Sequence, residues 1–282
     1  MQSSFGSNLR EQLGSDALLP FVGVYDVFSA SLAAQYYQGL FLSGFGFSAS
    51  FYGLPDLGFI AWSDLVAFVQ RVRTVLPDHQ LLVDIDDGYG DTEVACHVVS
   101  LLEAVGASGV ILEDQKRPRQ CGHFDGKQLM ELNEFLVKLQ RVLGTRKDLV
   151  VVARTDAHDP QERITRAQAF AQAGADAILL EAIPDLETIR QLKRQIKQPL
   201  MVNQIAGGKS PRWSLSELRE AGVAMVNYST PCLFAAQGAI HEALQELTTH
   251  DGVLPREIKA EGTVQGCTAI LRDNLARRDK KS

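Results

Sequence analysis

A chain of 282 residues, 45% hydrophobic and 22% charged, is long enough to bury a large core as one barrel or as two ordinary domains. Its net charge of −6, with Lys and Arg interspersed rather than striped, argues against a nucleic-acid partner and for small-molecule chemistry. Cys96, Cys121, Cys232 and Cys267 lie far apart without CxxC spacing, which argues against a zinc ribbon or disulfide framework and for a reducing, cytoplasmic setting. The start, Met1 to Arg10, lacks the charged and apolar regions of a signal peptide, and no uncharged apolar run approaches ~18 residues, so no membrane partner is expected.

Short apolar, β-branched runs recur along the chain at Phe21–Val24, Leu40–Leu42, Leu81–Val83, Gly109–Leu112, Leu149–Ala153, Ala177–Leu180, Pro199–Val202 and Val223–Val226. They read as eight buried strands. Helix-length segments with apolar spacings of three and four lie between them, at Trp62–Val75, Val94–Val105, Leu129–Leu143 and Leu186–Ile196. An internal echo links Glu103–Glu113, Gln172–Glu181 and Arg219–Val226; in each, a helix ends near a glycine and feeds the next strand. Eight βα alternations in roughly 250 residues predict a single (β/α)8 barrel of the TIM type spanning 1–282. The N-terminal helical arm, 1–19, and the C-terminal helical extension, 231–282, are assigned to it. The basic end, Arg277 to Lys281, is either an arm on a neighbouring subunit or a solvated tail.

The chemistry-bearing residues fall just past these runs. Asp84 and Asp86 stand two apart at a strand end, so both carboxylates can face one side, and Gly88 and Gly90 allow a sharp turn. Such a pair can hold Mg²⁺, or Mn²⁺ instead, directly or through water. Glu113, ending the next strand, adds a third acid, whereas Asp87 suits a plain loop role; a solvated acidic turn is the alternative. Cys121 lies in a polar loop between Arg119 and His123, where cationic charge would lower the thiol pKa and allow proton exchange near neutrality. The other cysteines read as small buried hydrophobes. His123 either binds a substrate carboxylate or is a structural loop histidine. Arg154, at the fifth strand end, suits bidentate carboxylate binding or stabilisation of an enolate oxygen, with an ion pair to Asp156 or Glu181 as the alternative. Glu181 and Asn203 end the sixth and seventh strands. The loop Leu42-Ser43-Gly44-Phe45-Gly46 can offer a hydroxyl and backbone N–H groups to a carboxylate.

These positions together resemble the isocitrate lyase and phosphoenolpyruvate mutase superfamily. The matching segments are Gly23-Val-Tyr25-Asp26 with Ser29-Ala30, Ser43-Gly-Phe-Gly46, Gly53-Leu-Pro-Asp56, Asp84-Ile-Asp86-Asp-Gly-Tyr-Gly90, Glu113-Asp-Gln115, Cys121-Gly-His123, Ala153-Arg-Thr-Asp-Ala157, Glu181-Ala182 and Asn203. The Cys-Gly-His loop looks like the branch that cleaves C–C bonds of 2-hydroxy acids such as 2-methylisocitrate or 2,3-dimethylmalate. The phosphonate mutases and hydrolases typically lack that cysteine.

The resemblance implies Mg²⁺ (or Mn²⁺) near Asp84, Asp86 and Glu113, mostly through waters, with Asp56 nearby. It implies a 2-oxo-acid product held by Ser43, Gly44, Asp84 and Arg154, with Tyr25, Phe45, Gly122, His123, Glu181 and Asn203 as further substrate contacts. Cys121 would protonate the departing carbanion, with Arg154, Glu113 and His123 completing the catalytic set. A homodimer or homotetramer with exchanged C-terminal helices is also implied. The chain departs from the family at Arg119-Gln120, where a lysine-rich lead is usual, at Ala206 in place of an acid, and at Phe234 in place of the arginine of methylisocitrate lyases. Loss of that arginine disfavours a tricarboxylate and favours a smaller, more apolar malate derivative. Phosphonopyruvate P–C chemistry, oxaloacetate decarboxylation and a non-catalytic carboxylate-binding barrel are the alternatives.

Overall fold

The structure is a computed structural model that describes residues 5–15, 17–124, 126–254 and 262–279. All eight apolar runs form strands: β1 (Leu19–Val24), β2 (Gly39–Leu42), β3 (Gln80–Asp84), β4 (Gly109–Glu113), β5 (Val150–Thr155), β6 (Ala177–Leu180), β7 (Leu200–Gln204) and β8 (Val223–Tyr228). They pair in parallel, each with the next, and β8 returns to β1, so the expected barrel closes.

The helices in chain order are α1 (Phe5–Leu13), α2 (Val27–Ala33), α3 (Gly44–Phe47), α4 (Trp62–Val75), α5 (Thr92–Ala104), α6 (Leu132–Thr145), α7 (Pro160–Ala173), α8 (Glu187–Lys193), α9 (Leu215–Glu220), α10 (Pro231–Thr249) and α11 (Val264–Asp279). Asp91 caps α5, Asp159 with Pro160 opens α7, and Ser214 with Glu217 forms a capping box on α9. The three glycines of the internal echo, Gly106, Gly174 and Gly222, all take positive φ where a helix stops before a strand.

The two-residue period of the strands sorts the core. Phe21, Phe41, Leu82, Ile111, Val152, Leu179, Met201 and Met225 form the barrel interior, together with Leu9 and Leu13 of α1. Leu40, Val83, Leu112, Val151, Ile178, Val202 and Val226 belong to the larger layer between barrel and helices. Arg10 donates to Asp148 O and Leu149 O at the start of β5, so α1 is a plug under the barrel rather than a free arm. At the other end of the chain, α11 packs on α2 and α4, where Asn274 donates to Ser31 Oγ at 2.8 Å. Residues 280–282, including part of the basic end, lie outside the described residues.

Candidate active site

The same period continues past the apolar layer. Two residues above the interior positions of β2 to β8 stand Ser43, Asp84, Glu113, Arg154, Glu181, Asn203 and Asn227, one from each strand end. On β1 the equivalent position is Gly23, where any Cβ would collide with Ser229 O. The C-terminal mouth of the barrel therefore carries a ring of polar groups over a sealed apolar floor.

Register places Glu113 beside Arg154 across β4 and β5, and Asn203 beside Asn227 across β7 and β8. Arg154 spends its fork on Asp156, at 2.9 and 3.0 Å, and turns Nη1 to Glu113 Oε2 at 3.3 Å. Its Nε lies 3.6 Å from Glu181 Oε2, so the ion pairs set out as an alternative to substrate binding are present. Lys127 Nζ adds a second cation to Asp156 at 2.9 Å. Asn203 donates to Glu181 Oε1 and accepts from Ser229 Oγ at 2.6 Å and Asn227 Nδ2 at 3.3 Å, which fixes its amide orientation.

Arg119 reaches into the acid cluster. Its Nη1 meets Asp56 at 2.5 Å, Nη2 meets Asp86 at 3.2 Å and Nε donates to Glu113 Oε1 at 2.9 Å. The residue that departs from the lysine lead is thus 2% exposed and bridges three carboxylates. Asp87, by contrast, is held bidentately by Arg117 at 2.8 Å, a structural role. Burial pushes the Asp84 and Asp86 carboxyls above the usual range, and pushes Glu113 up to about 7 against the pull of Arg119 and Arg154. Glu181 is held below the usual range because Arg154 and His123 outweigh its burial.

The acid cluster fits a hard cation. Asp86 Oδ1 and Glu113 Oε2 are buried and accept no well-directed hydrogen bond, being met only by the charges of Arg119 Nη2 at 3.2 Å and Arg154 Nη1 at 3.3 Å. Gly44 leaves open a cradle that a Cβ would fill, 3.1 Å from Asp84 Oδ2 and 3.4 Å from Asp86 Oδ1. Among the described residues no group of three His, Cys, Asp or Glu side chains is arranged as a direct ligand set. Small hard cations retain water, and oxygen-only partners at one remove suit that habit.

Cys121 is 9% exposed and lines a small central cavity of about 30 Å³ with Ser43, Phe45, Asp56, Asp84, Arg154, Glu181 and Asn203. The expectation that neighbouring cations lower its pKa is corrected: burial pushes the thiol up and outweighs the pull of Arg154, while Arg119 is turned into the carboxylates. The loop is latched through His123, whose Nδ1 accepts from Lys209 N at 2.9 Å, leaving Nε2 to face Glu181 Oε1 at 2.8 Å. Nδ1 is thus hydrogen-bonded, whereas Nε2 is close to the Glu181 carboxylate without a well-directed hydrogen bond. Gly122 lies so close that a Cβ would stand 2.5 Å from Glu181 Cγ and 2.8 Å from Asp156 Oδ1. Gly122→Ala is accordingly expected to disfavour loop closure by about 1–3 kcal/mol and accelerate alkylation of Cys121 roughly tenfold or more. Peptide mapping after iodoacetamide, with unchanged labelling as the contrary result, checks this.

Two further expectations are corrected. The Ser43–Gly46 segment is not an open loop: Ser43 Oγ caps α3 by accepting from Gly46 N at 3.1 Å, which removes that N–H from the supply. Tyr25 lies outside the central cavity and lines an outer one beside Phe45 and Phe234. Asn227, Ser229 and Lys127 were not singled out in the sequence. The first follows from the same two-residue step past Met225 that leads from Leu82 to Asp84.

Fold and site define a protein of the (β/α)8 class with an acid-rich polar cavity at the C-terminal barrel mouth. Residues 9–248 match the family Phosphoenolpyruvate phosphomutase, and the chain belongs to that family, within the PEP mutase/isocitrate lyase superfamily. It is 34% identical over 246 residues to the 2-methylisocitrate lyase of Aeropyrum pernix, covering 86% of this chain and 79% of that one. A crystal structure of 2,3-dimethylmalate lyase superposes with TM-score 0.91 at 28% identity, covering 100% of this chain and 97% of the other. Phosphonopyruvate hydrolase in complex with oxalate and Mg²⁺ superposes with TM-score 0.85 at 27% identity, covering 99% of each chain.

Proposed function

We propose that this protein cleaves the C2–C3 bond of a 2-alkylmalate-like 2-hydroxy acid, releasing pyruvate or another 2-oxo acid and a carboxylic acid. The observation that carries this reading is Cys121, a buried thiol with raised pKa beside Arg154 and Glu181. A thiol so placed is neutral at physiological pH and can give a proton to a carbanion formed next to it.

In this reading Ser43, Gly44, Phe45, Asp84 and Arg154 hold the 2-oxo-acid half. Asp84, Asp86, Glu113 and Asp56 would hold a divalent cation, Mg²⁺ or Mn²⁺, largely through water, and that ion supplies Lewis-acid stabilisation of the oxygen on C2. The C2 hydroxyl gives its proton to Glu113, whose carboxyl is pushed by burial up to about 7, and C2=O forms as the C2–C3 bond breaks; that bond's electron pair passes to C3 and is delocalised into the adjacent carboxylate. Cys121 then protonates C3. Arg154 opposes the negative charge on the C2 oxygen that precedes bond breaking, while Asp156 keeps its guanidinium in place. His123 and Gly122 act by holding the thiol loop closed over Glu181 and Asn203, which excludes water from the carbanion.

Phe234 meets Phe45 edge-on, with centroids 6.1 Å apart, so the position to which the resemblance assigns the arginine of methylisocitrate lyases carries an apolar ring here. This supports a malate derivative over a tricarboxylate. Exposed Ile240 and Leu244 on α10 support a homodimer or homotetramer in which α10 is exchanged, with α11 kept on its own barrel against α2 and α4. The four free thiols suit a cytoplasmic setting. P–C bond chemistry is the second reading, since phosphonopyruvate hydrolase shares the fold.

The test is pyruvate release from 2-methylisocitrate, 2,3-dimethylmalate, oxaloacetate and phosphonopyruvate, with Mg²⁺ and with chelator. Chelator-sensitive release from the dimethylmalate, exceeding that from methylisocitrate, is the expected result. Turnover of phosphonopyruvate with neither malate derivative cleaved would replace it with the P–C reading.

A further inference from the structure

Lys127 takes no part in the proposed bond cleavage, yet its side chain is 1% exposed. Burying an ammonium is costly unless acceptors surround it, so its partners indicate what it is held for. Nζ donates to Gly122 O, in the middle of the Cys121–His123 segment, and to Asp156 Oδ1 at 2.9 Å. That same oxygen accepts from Arg154 Nη2 at 3.0 Å, and the other oxygen of Asp156 takes Arg154 Nε at 2.9 Å. One ammonium therefore joins the backbone beside the thiol to the carboxylate that aims the guanidinium.

The loop that carries Cys121 and Lys127 is fastened at its base. Lys116 N donates to Gln128 O at 2.7 Å and Met130 N to Asp114 O at 2.9 Å, so Lys127 stands next to a main-chain clasp. On the outgoing leg, Gln115 grips Gln120 twice, accepting from its N at 3.0 Å and donating to its O at 2.8 Å. Between these anchors Gly122 rests so closely on the Arg154–Asp156 pair that a Cβ would stand 2.4 Å from Arg154 Nη2. A side chain has no room there, and the carbonyl is the handle that Lys127 takes.

We infer that Lys127 is a positioning residue: it holds Cys121 against one face of the C3 carbanion, so that the proton arrives from that face alone. The inference rests on the C–C lyase reading. A carbanion conjugated with a carboxylate is planar, and free water protonates its two enantiotopic faces alike. Only a donor fixed on one side discriminates between them. With 2,3-dimethylmalate in D₂O, C3 becomes the CHD carbon of propionate, a stereocentre that records the face of delivery. Loss of Lys127 removes two charge-assisted hydrogen bonds, the loop populates open states, and solvent reaches the carbanion in competition with the thiol.

The experiment takes wild type, Lys127→Met and Lys127→Arg through two measurements. One is iodoacetamide labelling of Cys121, by peptide mapping, without substrate. The other is the enantiomeric composition of the 2-deuteriopropionate formed from 2,3-dimethylmalate in D₂O with Mg²⁺. Wild type is expected to give one enantiomer in large excess. Lys127→Met should label about tenfold faster or more and give propionate approaching the racemate. Lys127→Arg keeps the charge and can still bridge the two oxygens, so it should restore slow labelling and the single enantiomer. A lysine that merely neutralised Asp156 would lower stability and kcat and leave both readouts where they are, and that result would overturn the inference. Faster labelling with the enantiomer intact would overturn it as well, because other contacts would then place the thiol. Should Lys127→Met fail to fold, Lys127→Gln, uncharged but still a donor, carries the same two readouts. A racemate from the wild type would overturn delivery to one face and leave the lyase reading standing. Absence of propionate from the wild type would overturn the lyase reading, and facial delivery with it, while labelling would still show whether Lys127 holds the loop.

Discussion

Cys121→Ser lowers kcat by about 10²–10⁴ while leaving thermal stability nearly unchanged. The side chain is almost isosteric, so the closed loop and its contacts to Glu181 and Arg154 survive. What is lost is an acid of suitable strength beside C3. The pH dependence separates this role from a packing role. Burial raises the thiol pKa, so the proton-donating form is complete through neutral pH and is lost only as pH rises through that raised value. Wild-type kcat should hold level through the usual cysteine range and fall only above it. The serine variant should lack that alkaline limb. A variant with full turnover, or with the same limb, would remove Cys121 from the proton transfer.

Arg154→Met has the second large effect, and it acts on stability as well as activity. The guanidinium stands among Asp156, Glu113 and Glu181, all nearly inaccessible to water. Removing it leaves buried carboxylates short of a cation, which costs about 3–5 kcal/mol, or roughly 10 °C in Tm for a chain of this size. Arg154→Lys keeps the charge but cannot reproduce the two parallel bonds to Asp156. It should retain most of the stability and still lose about 10²–10³ in kcat, because the fixed direction of the charge is what the reaction uses. Equal losses of Tm in both variants, measured by calorimetry, would show that the fork geometry is a folding requirement alone.

The barrel was legible because strands buried on both faces are written as short runs of Val, Ile and Leu, and all eight runs became strands. The site was legible through the same period. Asp84, Glu113, Arg154, Glu181 and Asn203 each sit one inward step beyond an apolar interior residue, and the barrel mouth collects them. What stayed hidden depends on direction rather than position. The sequence places Arg119 two residues from Cys121 but cannot show that its side chain turns into Asp56, Asp86 and Glu113, nor that burial of the thiol outweighs the pull of Arg154. Nor does it show that His123 Nδ1 is held by Lys209 N, because Lys209 is 86 residues away in the chain. Lys127 follows the glycine-containing loop and pairs with Asp156 only once that loop has closed.

The most direct test follows the products of 2,3-dimethylmalate in D₂O by NMR, with Mg²⁺ present. Cleavage with protonation at C3 predicts equimolar pyruvate and propionate, the propionate carrying a single deuterium at C2, and arrest of both by chelator. Consumption of the substrate without propionate, or propionate formed without solvent deuterium, would contradict carbon–carbon cleavage through a carbanion protonated at C3.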